Sequence, residues 1–233
     1  AALSSNAALR DFLVAAFSLS PYLRDGAVAR PAMVADMLKT PLDTYLRKRI
    51  DTARDAWRSD VQGKALPDAE IMARLRVAKR EMAFCLALAD LAKLMDGRET
   101  TRRLSEFAGA AVSATVDHLL LSAGEAGKLH VSNPEQPSEG SGVVVLGMGK
   151  LGAFELNYSS DIDLVVFYEP DASLIADASE APETFGRLLR RLIRILQERT
   201  GDGYVFRTDL RLRPDPGATP LAIPVEAAML YYE

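Results

Sequence analysis

The chain has 233 residues, 48% of them hydrophobic, with a formal net charge of −4 and an isoelectric point near 5.4. That is enough apolar material for one large domain or two small ones, and the acidic balance gives no general attraction to nucleic-acid phosphates, which disfavours a polymerase. A single cysteine, Cys85, excludes an internal disulfide and, with only two histidines, a structural zinc site.

A reducing, cytoplasmic setting is therefore expected, with no membrane partner. No run approaches the roughly 18 apolar residues of a membrane span, and the N-terminal "AALSSNAALRDF" lacks the basic start and apolar core of a signal peptide. Starting without Met and ending at "AMLYYE", the chain reads as a piece of a longer polypeptide.

In chain order, residues 1–60 read as short helices broken at Pro21, Pro31 and Pro41, because proline is tolerated in a first turn but not in a helix interior. In "LPDAEIMARLRVAKREMAFCLALADLAKLMDG", Ile71, Leu75, Ala78, Met82, Cys85 and Ala89 recur at helical steps, and Gly97 is placed as the C-terminal stop. A further helix is expected at about 100–123, burying Leu104, Phe107, Ala111 and Leu119. Residues 1–130 thus form an all-helical region. The segment "VSNPEQPSEGSG", 131–142, is a loop or linker, rich in turn residues and without periodicity.

From 143 to 233 the period changes. "GVVVLGM", "DIDLVVFY" and "GYVFRTDLRLR" read as three strands. Between the last two, "ETFGRLLRRLIRILQERT" sets Phe185, Leu188, Leu189, Leu192, Ile195 and Leu196 against a face of Arg187, Arg190, Arg191 and Arg194, as in a helix lying on a sheet. The arginine face is read as solvated, with protein docking as the minority view. The expected class is α+β: a helical region, then a small mixed sheet with flanking helices.

Asp161 and Asp163 lie one residue apart, so in a strand both carboxylates emerge on one face while Ile162 and Leu164 point to the other. Such a pair repels itself and is relieved by a shared proton or a divalent cation, and hard oxygen donors suit Mg²⁺, with Mn²⁺ as a second option. An isolated pair of this kind is more often an exposed strand end; its surroundings argue otherwise. Upstream, "GMGKLG" follows an apolar run and opens a helix-compatible piece, a context in which glycines let backbone N–H groups approach a phosphate. Downstream, strict alternation would put Arg207, Asp209, Arg211 and Arg213 on one strand face. Asp209 could then complete a three-carboxylate metal site, with Arg211 at hand for phosphate oxygens.

Gly149 and Lys150, followed by ten residues and then Asp161, and a third aspartate on a later strand resemble the polymerase-β-type nucleotidyltransferase superfamily. The longer strings "GMGKLGAFELNYSSDIDL" and "DLRLRPDP", with "LRVAKREMAFCLALADLA" ahead of them, resemble the glutamine synthetase adenylyltransferase/adenylyl-removing enzyme family. Lys150 departs from the Ser common in the superfamily but agrees with the narrower family; Ala153 stands where a second glycine is expected.

That resemblance implies a long polypeptide with two nucleotidyltransferase copies. One removes AMP from a tyrosine of glutamine synthetase by phosphorolysis, releasing ADP; the other adds AMP from ATP. The ending "RLRPDPGATPLAIPVEAAMLYYE" looks more like the removing copy. On this reading Asp161 and Asp163 are metal ligands, and Asp209 holds a second metal or orients and deprotonates the nucleophile. Gly149, Lys150 and Arg211 face nucleotide or inorganic phosphate, and Ser160 either donates to phosphate or caps a turn. Glutamine synthetase is the implied partner and a PII-type signalling protein a further one. The alternatives are the adenylylating copy, a catalytically idle nucleotide-sensing module, and a small-molecule nucleotidyltransferase. His118 and His130 are read as structural or solvent-facing, without a carboxylate partner, and Cys85 as an inert core residue.

Overall fold

Prolines space the first helices. The computed structural model describes residues 6–61, 63–169, 175, 178–215, 217 and 219–233, and begins with α1 (Ala7–Leu19), α2 (Pro21–Ala29), α3 (Pro31–Lys39) and α4 (Leu42–Arg54). Pro21 and Pro31 open their helices, where a missing N–H costs no hydrogen bond, and Pro41 precedes α4. The Asn6 and Ser20 side chains accept the N–H groups of Leu9 and Leu23 as N-caps.

Two long helices follow, α5 (Asp68–Leu91) and α6 (Gly97–Glu125). Every residue expected on their apolar faces is buried. Burial pushes the Cys85 thiol up to about 12, so it is an inert core group. Gly97 is not a stop. Helix α5 ends at Leu91, with Lys93 left-handed (φ 58°), and Gly97 opens α6 because Asp96 caps it, accepting the Glu99 N–H at 2.7 Å. By length and mean hydropathy α6 could cross a membrane, contrary to the sequence reading; 67% of its most apolar window is packed inside the protein.

The sheet follows: β1 (Val143–Met148), the single turn α7 (Gly149–Gly152), β2 (Ile162–Tyr168), α8 (Ala181–Gln197), β3 (Thr208–Asp209), β4 (Ala222–Pro224) and α9 (Val225–Tyr232). Strand β1 runs antiparallel to β2, while β3 and β4 pair in parallel with successive parts of β2. The molecule is thus α+β with a small mixed sheet. Ile162, Leu164, Val166 and Tyr168 are buried on one face of β2, and Phe185 of α8 stacks on Tyr168 with ring centroids 4.4 Å apart. One contiguous apolar cluster runs from Tyr45 on α4 to Ala222 on β4, so helices and sheet share a core. A smaller cluster seats α1–α3 on Phe84 and Leu88 of α5.

The third strand is much shorter than expected. Of 203–213 only Thr208 and Asp209 join the sheet, because the Asp209 carboxylate accepts the Arg211 N–H at 2.8 Å and curls the backbone into a turn. Arg207, Asp209, Arg211 and Arg213 therefore do not share one strand face; Arg213 instead donates to the Leu210 carbonyl at 2.7 Å. The last residue of "DLRLRPDP" lies outside the described residues.

The arginine face of α8 is also not simply solvated. Arg187 pairs along the helix with Glu183, but Arg191 and Arg194 both grip Asp68 at the start of α5. The fully buried His118 of α6 does have a carboxylate partner: its Nε2 lies 2.8 Å from the same Asp68. Three helices meet on one carboxylate, which makes His118 structural.

Candidate active site

Asp163 stands on the face of β2 opposite the α8-packed residues, and in register it lies between Met148 of β1 and Asp209 of β3. Asp161 immediately precedes the strand and is exposed. The two carboxylates thus occupy the open end of a strand whose buried part begins at Ile162. The parallel register brings Asp209, distant in sequence, onto the same rung as Asp163.

The glycine turn supplies the room. Gly149 adopts φ +52°, and a Cβ there would lie 2.8 Å from Asp163 Oδ2. A Cβ on Gly152 would meet the Gly147 carbonyl oxygen at 2.5 Å, so the turn folds back onto its own strand. Ala153 is right-handed and needs no glycine; the left-handed residue is Phe154 (φ 58°), after which the Glu155 N–H reaches the Lys150 carbonyl at 2.8 Å. Below, the buried Ser105 of α6 accepts the Leu156 N–H at 3.1 Å and anchors the loop that leads to Asp161.

Each carboxylate has a different electrostatic setting. Asp209 forms a bidentate pair with Arg211, whose hydrogen bonds hold its carboxyl below the ordinary range. Asp161 takes the Arg207 Nε, and Arg207 also donates to the Ser159 carbonyl at 2.7 Å. Asp163, between them, is raised, first by burial and then by the negative charges of Asp209 and Asp161.

The remaining expected residues are placed as follows. Lys150 is exposed on α7. The Ser160 hydroxyl accepts the Asn157 N–H at 3.2 Å, which makes it a turn cap. Arg211 is bound to Asp209 and otherwise open to solvent. Two positioning residues are not legible in the sequence: Arg207, whose alternation does not reveal its hold on Asp161, and Ser105, hidden on an apolar helix.

Three hard oxygen donors, two on one rung and the third one pleat away, suit Mg²⁺ or Mn²⁺, and the raised Asp163 is a group that a cation would relieve. In the present side-chain arrangement, among the described residues, no three His, Cys, Asp or Glu groups converge on a metal position. Asp161 and Asp209 are turned to their arginines. The donor chemistry fits the ion, and holding it requires those exposed ion pairs to open.

A family model described as glutamate-ammonia ligase adenylyltransferase matches residues 11–233. The chain is 69% identical over 231 residues to a bifunctional glutamine synthetase adenylyltransferase/adenylyl-removing enzyme of Rhizobium meliloti (strain 1021), covering 99% of this chain and 23% of that protein. It is 60% identical over 233 residues to the protein of the same description from Agrobacterium fabrum, covering 100% and 24%, and 50% identical over 231 residues to that of Mesorhizobium japonicum, covering 99% and 23%. The chain spans about a quarter of the length of these curated relatives and matches their N-terminal part.

Proposed function

The chain belongs to the glutamate-ammonia ligase adenylyltransferase family, and from that premise we propose that this part carries the adenylyl-removing activity, phosphorolysis of AMP-tyrosine on glutamine synthetase. The observation that carries the reading is the rung joining Asp163 to Asp209, with Asp161 one pleat away and Gly149 clearing space beside it. The choice of the removing reaction rests on the likeness of the C-terminal sequence to that copy.

In the reaction, an oxygen of inorganic phosphate attacks the adenylyl phosphorus. The bond from phosphorus to the tyrosine oxygen breaks, the electron pair leaves with that oxygen, which takes the proton given up by the attacking hydrogen phosphate, and ADP is formed. A divalent cation, when bound, supplies charge neutralisation at the nucleotide oxygens. Asp161, Asp163 and Asp209 would hold it. Phosphate is already anionic and needs no base, so Asp209 serves as a ligand. Arg207 and Arg211, exposed at the rim, and Lys150 beside Gly149 offer positive charge to phosphate oxygens.

The test incubates the chain with adenylylated glutamine synthetase, Mg²⁺ and phosphate. ADP is expected, abolished by chelation or by omitting phosphate. Absence of ADP together with ATP-dependent labelling of unmodified glutamine synthetase would assign the adenylylating reaction instead, and absence of both would leave a sensing module.

A further inference from the structure

A cavity of about 450 Å³ opens between α2, α5 and the segment 199–206, and none of the three aspartates lines it. Four positive side chains do: Arg76, Lys79, Arg80 and Arg199. The single carboxylate among the lining residues, Asp202, is already engaged, 2.9 Å from Arg80 and 3.6 Å from Arg30.

The other cations lack a carboxylate partner among the described residues. Arg76 is fully buried and satisfied only by the main-chain carbonyls of Met72, Ile195, Glu198 and Gly203. Lys79 has the Val205 carbonyl at 3.4 Å and the face of Phe206, 4.0 Å from the ring centroid. Burial pushes its ammonium down to about 8. Arg199 is exposed at the rim.

Elsewhere the well-buried arginines Arg49 and Arg103 each pair with carboxylates, as desolvated charge requires. The contrast leaves Arg76, Lys79 and Arg199, among the described residues, without a negative counterpart beyond the engaged Asp202. The Tyr158 hydroxyl, also buried in this wall, has no hydrogen-bond partner and is a donor in reserve.

We propose that this cavity binds a small organic anion, its carboxylate or phosphate meeting Lys79, Arg199 and the Tyr158 hydroxyl, and its apolar part lying against Tyr22 and Ala87. The lining segment continues from Phe206 straight into Arg207, so the ligand would sit beside the strand approach that holds Asp161. The site is separate from the aspartates and does not depend on the reaction assigned to them.

The test is calorimetric titration of the whole chain with phenyl phosphate and, separately, phenylacetate, in metal-free buffer so that no cation holds either anion at the aspartates. Saturable binding of one of them is expected, which also distinguishes a phosphate from a carboxylate ligand. Lys79→Met and Arg199→Ala should each weaken it roughly tenfold or more, the equivalent of losing a hydrogen bond to a charged group. Asp163→Asn should bind as wild type does. Arg199→Ala changes an exposed side chain and decides the matter should Lys79→Met disturb packing. Binding of neither anion, undiminished binding by Arg199→Ala, or loss of binding in Asp163→Asn would overturn the proposal.

Discussion

Asp163 and Asp209 face each other across one rung of the β2–β3 pair, yet only Asp209 has a guanidinium of its own. Asp163 is therefore the carboxylate that the fold holds at a cost. Its carboxyl is raised in the folded state, so its contribution to stability is fully present below the unfolded value, near about 4, and is lost as pH rises through the raised folded value. In metal-free buffer near neutral pH, Asp163→Asn should raise the melting temperature by about 1–3 °C. Phosphate-dependent ADP formation should fall roughly a hundredfold or more. A clear fall in melting temperature with activity retained would make the carboxylate scaffolding.

Asp161 should behave differently. Its partner Arg207 forms a half-exposed ion pair with it, a class that contributes about 0–1 kcal/mol. Asp161→Asn should leave the melting temperature almost unchanged while removing most activity, and Arg207→Gln should reduce activity less than Asp161→Asn does. Urea denaturation and the ADP assay on the same preparations check both.

Gly149 and Gly152 separate turn geometry from site geometry. Gly149→Ala places a methyl against the Asp163 carboxylate at a left-handed position, at a cost of about 1–2 kcal/mol, and should lose activity out of proportion to stability. Gly152→Ala drives a methyl into the Gly147 carbonyl oxygen, which only a backbone shift can relieve, and should cost about 1–3 kcal/mol. The paired readings of melting and rate per folded molecule should rank the two variants in opposite order.

The clamp on Asp68 predicts acid sensitivity. Burial alone would raise this carboxyl, but hydrogen bonds from Arg191 and His118 and their charges pull it well below the ordinary range. His118 is lowered, chiefly by burial. Both folded values are depressed. His118 therefore contributes stability that is present above about pH 6.5 and lost as pH falls below it, and Asp68 stability that is present above about pH 4 and lost below. Asp68→Asn should cost about 2–3 kcal/mol at neutral pH and flatten the acid limb of the stability curve. An unchanged acid limb would count against the clamp.

Arg76 tests how the helices position the strand approach. It bonds to four main-chain carbonyls, three of them more than a hundred residues away in sequence, and a lysine ammonium cannot span that fork. Arg76→Lys should destabilise by about 2–4 kcal/mol and lower activity in the folded fraction, because the segment it holds leads to Arg207 and Asp209. Full stability in the lysine variant would refute the account.

Much was legible from local period. The apolar faces of α5, α6 and α8 follow from spacing alone. The α+β class follows from the change of period after residue 142. Short-range side-chain chemistry overrides period: Asp96 caps α6, so Gly97 starts a helix, and Asp209 captures the Arg211 N–H, so an alternating run becomes a turn. A three-residue strand such as β4 carries too few residues for any period to register.

What the sequence by itself determined is which residues can bury a face and which carry charge, because both are properties of residue type and near-neighbour spacing. Which charges meet was decided only by the tertiary structure. Asp209 comes to Asp163 through the register of β3 on β2, Arg207 comes to Asp161, and His118, Arg191 and Arg194 converge on Asp68 from 50 to 126 residues away. The physical reason is that a partner for a charge is chosen by packing of the apolar faces beneath it. Helix α8 must lie on the sheet before its arginines can reach α5, and the sheet must close before three carboxylates can share one open end.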